Sequence, residues 1–189
     1  MPAKPRRQPN KPARILKSKI VFQGRSFGVR LDEIIEPSGV HAVREVVTHP
    51  GSVVVLPVLP DGRVVLVRQY RHATRHHLWE LVAGRMEKGE APKQGARREL
   101  KEETGYRARK LSVILDFFPT PGFLEEKMFI LLAEGLTAGK AEPEEDEKLT
   151  VGLFSKQELQ QMIRKRQLRD AKSIAGLLFY FSFLDKSKQ

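Results

Sequence analysis

Glu99, Glu102 and Glu103 fall within five consecutive positions of a segment rich in helix-forming residues. On a helix, positions three and four apart share a face, so the three carboxylates would stand together. At an effective dielectric of about 20, two such charges roughly 5 Å apart repel by about 3 kcal/mol before solvent screening. Two readings follow. On a wet face the penalty is small, and the acids form an ordinary solvated patch beside Arg97, Arg98 and Lys101. On a partly buried face they need a counter-ion, and an all-oxygen donor set suits a hard cation, Mg²⁺ with Mn²⁺ as the alternative.

The helix that must hold them is predicted over Ala91–Thr104, with Pro92 in its first turn and Gly105 as its stop. Most of the remaining chain reads as strands: Lys19–Gln23, Phe27–Ile35, Ala42–Thr48, Ser52–Leu59, Arg63–Tyr70, Trp79–Val82, Leu111–Phe118, Met128–Ala133 and Leu149–Phe154. Asp61-Gly62 predicts a hairpin turn between the fourth and fifth, and the sixth is expected to end at Ala83-Gly84. The acid-rich stretch Thr137–Lys148 has no apolar periodicity and is expected to be a loop. Ser155 with Glu158 forms a capping box for a helix to about Lys165, and Ala171–Leu184 predicts a final amphipathic helix. The pattern suggests an α+β or three-layer α/β/α sandwich domain with mixed sheets, preceded by an N-terminal antiparallel β subdomain.

The chain has 189 residues, a formal net charge of +11 and no cysteine. The absence of cysteine excludes disulfides, zinc–thiolate sites and cysteine nucleophiles, and it fits a cytoplasmic protein. No apolar run approaches the roughly 20 residues needed to span a bilayer, and no apolar stretch follows the basic start as a secretory signal requires. Lys4, Arg6, Arg7, Lys11, Arg14, Lys17 and Lys19 carry seven of the surplus charges, in a proline-rich stretch without an acid. Residues 1–19 are therefore expected to be a disordered basic tail, residues 20–48 a small β subdomain, and residues 49–189 the main domain. With the charge concentrated in the tail, nucleic-acid binding by the body is not expected.

The residues around the carboxylates form a longer pattern. Gly84, five residues, Glu90, seven residues, Arg98-Glu99-Leu100, one residue, Glu102-Glu103, one residue and Gly105-Tyr106 resemble the Nudix box at every defined position. Only Tyr106 departs mildly, standing where an aliphatic residue is usual. The segments Gln69–Gly84, Phe118–Leu136 and Glu144–Leu159 are similar to the ADP-ribose pyrophosphatase subfamily, with Pro121 lying 16 residues after Gly105 near a proline typical of it.

The resemblance implies a Nudix fold and cleavage of a nucleoside diphosphate derivative by water. It implies Glu99 and Glu103 as principal metal ligands, with Glu102 assisting and the Ala83 carbonyl contributing, and Arg98 tying the helix to Glu90. Gly84 is expected to allow a tight turn after its strand. Arg44 and Arg71 fall where the family sets arginines on substrate, and a planar fork can bridge two phosphate oxygens. Glu80 is implied beside the metal loop, in substrate or metal binding, and Phe27 near the adenine. The acidic loop is implied to supply the catalytic base, with Glu145 aligning best and Glu144 and Glu147 as alternatives. A loop carboxylate can reach the attacking water and withdraw for product release. The resemblance also implies a homodimer built through the N-terminal strands.

The activity implied is Mg²⁺-dependent hydrolysis of ADP-ribose to AMP and ribose 5-phosphate. The alternatives are a nucleoside-diphosphate-sugar hydrolase, acting for instance on GDP-mannose, and a nucleic-acid-binding Nudix-like module that uses the basic tail.

Overall fold

The computed structural model describes residues 11–142 and 148–185. The chain forms two compact units, Met1–His49 with Thr120–Glu125, and Pro50–Pro119 with Glu126–Gln189.

The first unit is a three-stranded antiparallel sheet in the order β1-β2-β3: β1 (Arg14–Gln23), β2 (Gly28–Ile35) and β3 (His41–Thr48). The segment Thr120–Glu125 is joined to the end of β3, where Val47 N donates to Phe123 O at 2.7 Å and Glu125 N to Val47 O at 3.1 Å. The first strand starts at Arg14, five residues earlier than its sequence suggests. It is tied to the acids of β2: Lys17 lies 3.5 Å from Glu33 and Ser18 Oγ donates to Asp32 at 2.6 Å. The compensating charge sits on another strand, so the segment alone gives no sign of it.

The second unit holds two sheets and three helices. One sheet has the order β7-β4-β9-β8 and the other β10-β5-β6. The strands are β4 (Ser52–Pro57), β5 (Val64–Arg71), β6 (His76–Glu80), β7 (Val82–Arg85), β8 (Arg107–Phe117), β9 (Met128–Thr137) and β10 (Thr150–Phe154). The helices are α1 (Pro92–Thr104), α2 (Lys156–Arg164) and α3 (Ala171–Phe179). The sheets are mixed: β4 pairs parallel with β9 and antiparallel with β7.

Every residue of β4 is buried, and its alternate residues serve two cores, as the twofold period of a strand requires. Val53 and Val55 pack with Ala96 and Leu100 of α1, while Val54 and Leu56 pack with Leu81, Ile130 and Leu177 of α3. Helix thus lies on either face of the strand, the α/β/α arrangement expected from the sequence.

Three expectations change. Asp61-Gly62 makes its turn, with Leu59 N donating to Arg63 O at 2.9 Å, but the flanking strands share only the Val58–Val64 bridge before joining different sheets. A strand buried on both faces takes two inner neighbours, here β7 and β9, in place of its sequence neighbour. The single strand Trp79–Val82 is two strands, because Leu81 N donates to Ser173 Oγ at 2.7 Å and leaves the ladder between β6 and β7. The last helix is α-helical to Phe179 and ends in a π-helical turn, Tyr180–Leu184, closed by Asp185 N donating to Tyr180 O at 2.9 Å.

Among the described residues, no helix is long and apolar enough to cross a membrane.

Candidate active site

Helix α1 begins after Ala91, whose N–H donates to the Gln94 side chain at 2.9 Å, and ends where Gly105 takes φ 74°, a conformation glycine adopts without Cβ strain. Its buried side is Gly95, Ala96, Glu99, Leu100, Glu103 and Thr104. Two carboxylates therefore stand one turn apart on the row that faces the core. Glu99 is 9 % and Glu103 4 % exposed, while Glu102 lies beside them with its side chain partly solvated. The wet-patch reading of the acid cluster does not hold for Glu99 and Glu103. A buried carboxylate requires a cation, hydrogen-bond donors or a proton.

Gly84 explains how Glu99 fits. It lies within β7, paired with Val53 of β4, and has no left-handed φ, so the tight turn expected of it is absent. Its function is space: a Cβ at this position would meet Glu99 Oε1 at 1.8 Å. Gly95 makes room in the same way, since a Cβ there would stand 2.9 Å from Glu90 Oε2.

Arg98 joins these groups. Its Nε and Nη2 donate to the two oxygens of Glu90, each at 3.1 Å, and Nη2 also reaches the Arg85 carbonyl at 3.1 Å. Nη1 donates to Glu99 at 2.6 Å and to Glu102 at 3.2 Å. The hydrogen bonds that Arg98 donates to Glu90, assisted by the one to Glu99, raise the Arg98 pKa above its ordinary value against the opposing effect of burial. The same guanidinium holds the Glu90 carboxyl below its usual range.

A second charged cluster lies at the ends of β5 and β6. Arg71 grips Glu80 bidentately, Nε to Oε1 at 2.8 Å and Nη2 to Oε2 at 2.7 Å. Lys172 of α3 donates to Glu80 Oε2 at 2.5 Å and lies 3.0 Å from Asp170. Glu80 is 1 % exposed. Burial opposes its ionisation, but Arg71 and Lys172 more than offset that, and its pKa falls below the usual value. Arg71 responds electrostatically to Glu103 as well as Glu80, which sets it in the field of the α1 carboxylates. Sequence reasoning missed Lys172. The only signal was Asp170 followed by Lys172 and Ser173 at the start of a helix, which reads as an ordinary cap.

Arg44 and Phe27 belong to the other unit. Arg44 is half-exposed and ion-paired with Glu36, and Phe27 is exposed with its ring 5.7 Å from that of Phe22. The acidic-loop candidates Glu144, Glu145 and Glu147 lie outside the described residues. The residue just before that stretch is anchored to α1: Glu142 N donates to Glu102 O at 3.0 Å, and Lys101 Nζ to the Glu142 carboxylate at 2.7 Å.

Among the described residues, no three His, Asp or Glu side chains are already closed around a point as a preformed metal cage. The donor chemistry nevertheless fits a hard divalent cation. Glu99, Glu102 and Glu103 offer only oxygen, two of them from a buried row, and the Glu99 carboxylate occupies a cradle that any side chain at residue 84 would fill.

A sandwich of mixed sheets carrying an acid-faced helix directly after a glycine-containing strand defines the class of protein, and residues 48–177 match the NUDIX domain. The chain belongs to the Nudix family and is an enzyme of its pyrophosphatase class. It is 37 % identical over 161 residues to an ADP-ribose pyrophosphatase of Bacillus subtilis (strain 168), covering 84 % of this chain and 87 % of the relative. It is 34 % identical to an ADP-ribose pyrophosphatase of Mycobacterium tuberculosis (strain ATCC 25618 / H37Rv), covering 86 % and 80 %. A methanol dehydrogenase activator of Bacillus methanolicus is 32 % identical, with 87 % and 90 % covered. Among solved structures, that of an ADP compounds hydrolase superposes with a TM-score of 0.81 at 24 % identity, covering 94 % of this chain and 96 % of the other, a likeness of fold.

Proposed function

We propose that this enzyme hydrolyses the pyrophosphate of ADP-ribose to AMP and ribose 5-phosphate with Mg²⁺ as its cation. The observation that carries the reading is the buried row of Glu99 and Glu103, with Glu99 seated on the bare Cα of Gly84. The substrate choice is supported by ADP-ribose pyrophosphatases among the relatives that span most of the chain.

Glu99 and Glu103 would hold the cation, with Glu102 and the Ala83 carbonyl completing the oxygen set. Bound there, a divalent ion neutralises phosphate charge and acts as a Lewis acid on the phosphoryl group. Arg98 orients Glu99 and Glu102 through its own anchors on Glu90 and the Arg85 carbonyl. Arg71 offers the face of its guanidinium not engaged by Glu80 to a substrate phosphate. Glu80, with both oxygens engaged, acts through Arg71 and not on the substrate itself.

Glu145 takes the proton of the attacking water, with Glu144 and Glu147 as alternatives. The anchoring of Glu142 on α1 supports this role: Glu145 is three positions further along the chain, which limits their Cα separation to about 11 Å. Arg44 and Phe27 bind the nucleotide part of the substrate. Two copies pair through the first unit, whose residues Ile15, Val21, Phe22, Phe27, Val43 and Phe123 are exposed apolar side chains. The absence of cysteine supports a cytoplasmic setting.

Steady-state turnover of ADP-ribose, GDP-mannose, other nucleotide sugars and dinucleoside polyphosphates with Mg²⁺ tests the reading. ADP-ribose should give the highest kcat/KM. Equal or better turnover of GDP-mannose would move the assignment to the nucleotide-sugar hydrolases.

A further inference from the structure

The cluster around Glu80 is richer than the neutralisation of one acid requires. A single buried carboxylate needs one counter-ion, and Glu80 has two, Arg71 and Lys172. Its members differ sharply in exposure: the Glu80 side chain is 1 %, Lys172 11 %, Asp170 16 % and Arg71 40 % exposed. Both acids are sheltered, so an arriving anion meets the arginine.

The sheltered members are also fixed. Asp170 caps α3, accepting from Ser173 N at 3.0 Å and Ser173 Oγ at 2.5 Å. Ser173 Oγ in turn accepts the Leu81 N–H at 2.7 Å, at the point where β6 gives way to β7. The first turn of α3 is thereby tied to the strand that carries Glu80, and Lys172 emerges from that turn onto Glu80 Oε2.

We propose that Lys172 is a positioning residue for Arg71. Held from behind by Lys172, the Glu80 carboxylate presents both oxygens in one plane to Nε and Nη2 of Arg71. That plane leaves the remaining N–H groups of the guanidinium directed outward for a substrate phosphate. Without Lys172, the buried carboxylate would have Arg71 as its only remaining cation of this cluster and would draw it inward. A purely stabilising role explains the arrangement less well, because buried ion pairs are weak contributors to net stability. Asp170 and Ser173 act one step further back, by fixing the turn from which Lys172 projects. The proposal rests on the reading of Arg71 as a substrate contact.

The test is a double-mutant cycle with ADP-ribose and Mg²⁺, comparing Arg71→Ala, Lys172→Met and the double variant. Arg71→Ala and Lys172→Met should each raise KM about tenfold or more, with kcat changed less than about threefold, and the double variant should be no worse than Arg71→Ala. Lys172→Arg should recover part of the loss. If Arg71→Ala leaves KM unchanged, the reading of Arg71 itself fails. If Arg71→Ala raises KM but Lys172→Met does not, or the two effects multiply, the positioning role is overturned. Should Lys172→Met not fold, Lys172→Gln, which leaves the Glu80 carboxylate a polar neighbour but no second cation, carries the same question. A raised KM in that variant upholds the proposal, and a wild-type KM overturns it.

Discussion

The carboxylate of Glu99 lies where a side chain on Gly84 would have to begin: a Cβ on Gly84 would stand 1.8 Å from Glu99 Oε1 and 1.9 Å from Cδ. The clash is with the far end of a flexible side chain, so Gly84→Ala should leave the fold standing and displace the carboxylate. A misplacement of about 1 Å in a catalytic assembly costs on the order of 10²-fold in rate, while the strain of one added methyl is about 1–3 kcal/mol. Gly84→Ala should therefore lose about a hundredfold or more in kcat with only a modest drop in Tm. Near-normal turnover would show that Glu99 has no fixed place in catalysis.

Glu103 shares the buried row and is 4 % exposed. Glu103→Gln keeps the shape and removes the charge. Turnover at saturating Mg²⁺ should fall by about 10²-fold or more, with circular dichroism unchanged. If Glu103→Gln retains most of its activity under those conditions, Glu103 does not belong to the metal set.

The helix and its acids were legible because their signals are local: Pro92, Gly105 and the three-and-four spacing of Glu99, Glu102 and Glu103 all lie within one element. What stayed hidden depended on partners distant in sequence. The strand at Arg14 relies on Asp32 and Glu33, the break at Leu81 on Ser173, and the second cation on Glu80 on Lys172, 92 residues away. Gly84 was readable as a glycine that matters but not for its reason, since a one-dimensional pattern cannot separate a turn from a cradle. The divergence of β4 and β5 after a sound hairpin turn belongs to the same class, decided by which neighbours bury β4.

Glu80 predicts an acid-dependent loss of stability. Its folded pKa lies below the usual value of 4.5, so the unfolded chain binds the proton more readily. The stabilising contribution is present above the unfolded value and is lost as pH falls through the folded one. Glu80→Gln should therefore be less stable than wild type at neutral pH, and the gap in Tm should narrow as the pH is taken below 4.5. Thermal melts across that range check it, and a gap that stays constant would mean Glu80 carries no such coupling.

The acidic loop separates chemistry from binding. Glu145→Gln should lower kcat for ADP-ribose by about 10²-fold or more and change KM little, as loss of a general base does. Parallel substitutions at Glu144 and Glu147 locate the base: whichever causes the largest fall in kcat holds the role. A comparable rise in KM with kcat intact would instead make the loop a binding element.

The exposed apolar side chains of the first unit give the last expectation. All of β1 is exposed, including Ile15, Leu16, Ile20, Val21 and Phe22, and a groove of about 540 Å³ is lined by Val21, Val29, Leu31, Glu45, Val47 and Phe123. Monomers rarely leave contiguous apolar patches of more than a few hundred Å² in water. Sedimentation should give a dimer at micromolar concentration, and Val21→Asp, which sets a charge in the groove, should shift it to monomer. If turnover falls with the dimer, the second copy contributes to catalysis. A wild-type protein that sediments as a monomer throughout would remove the N-terminal sheet as a pairing surface.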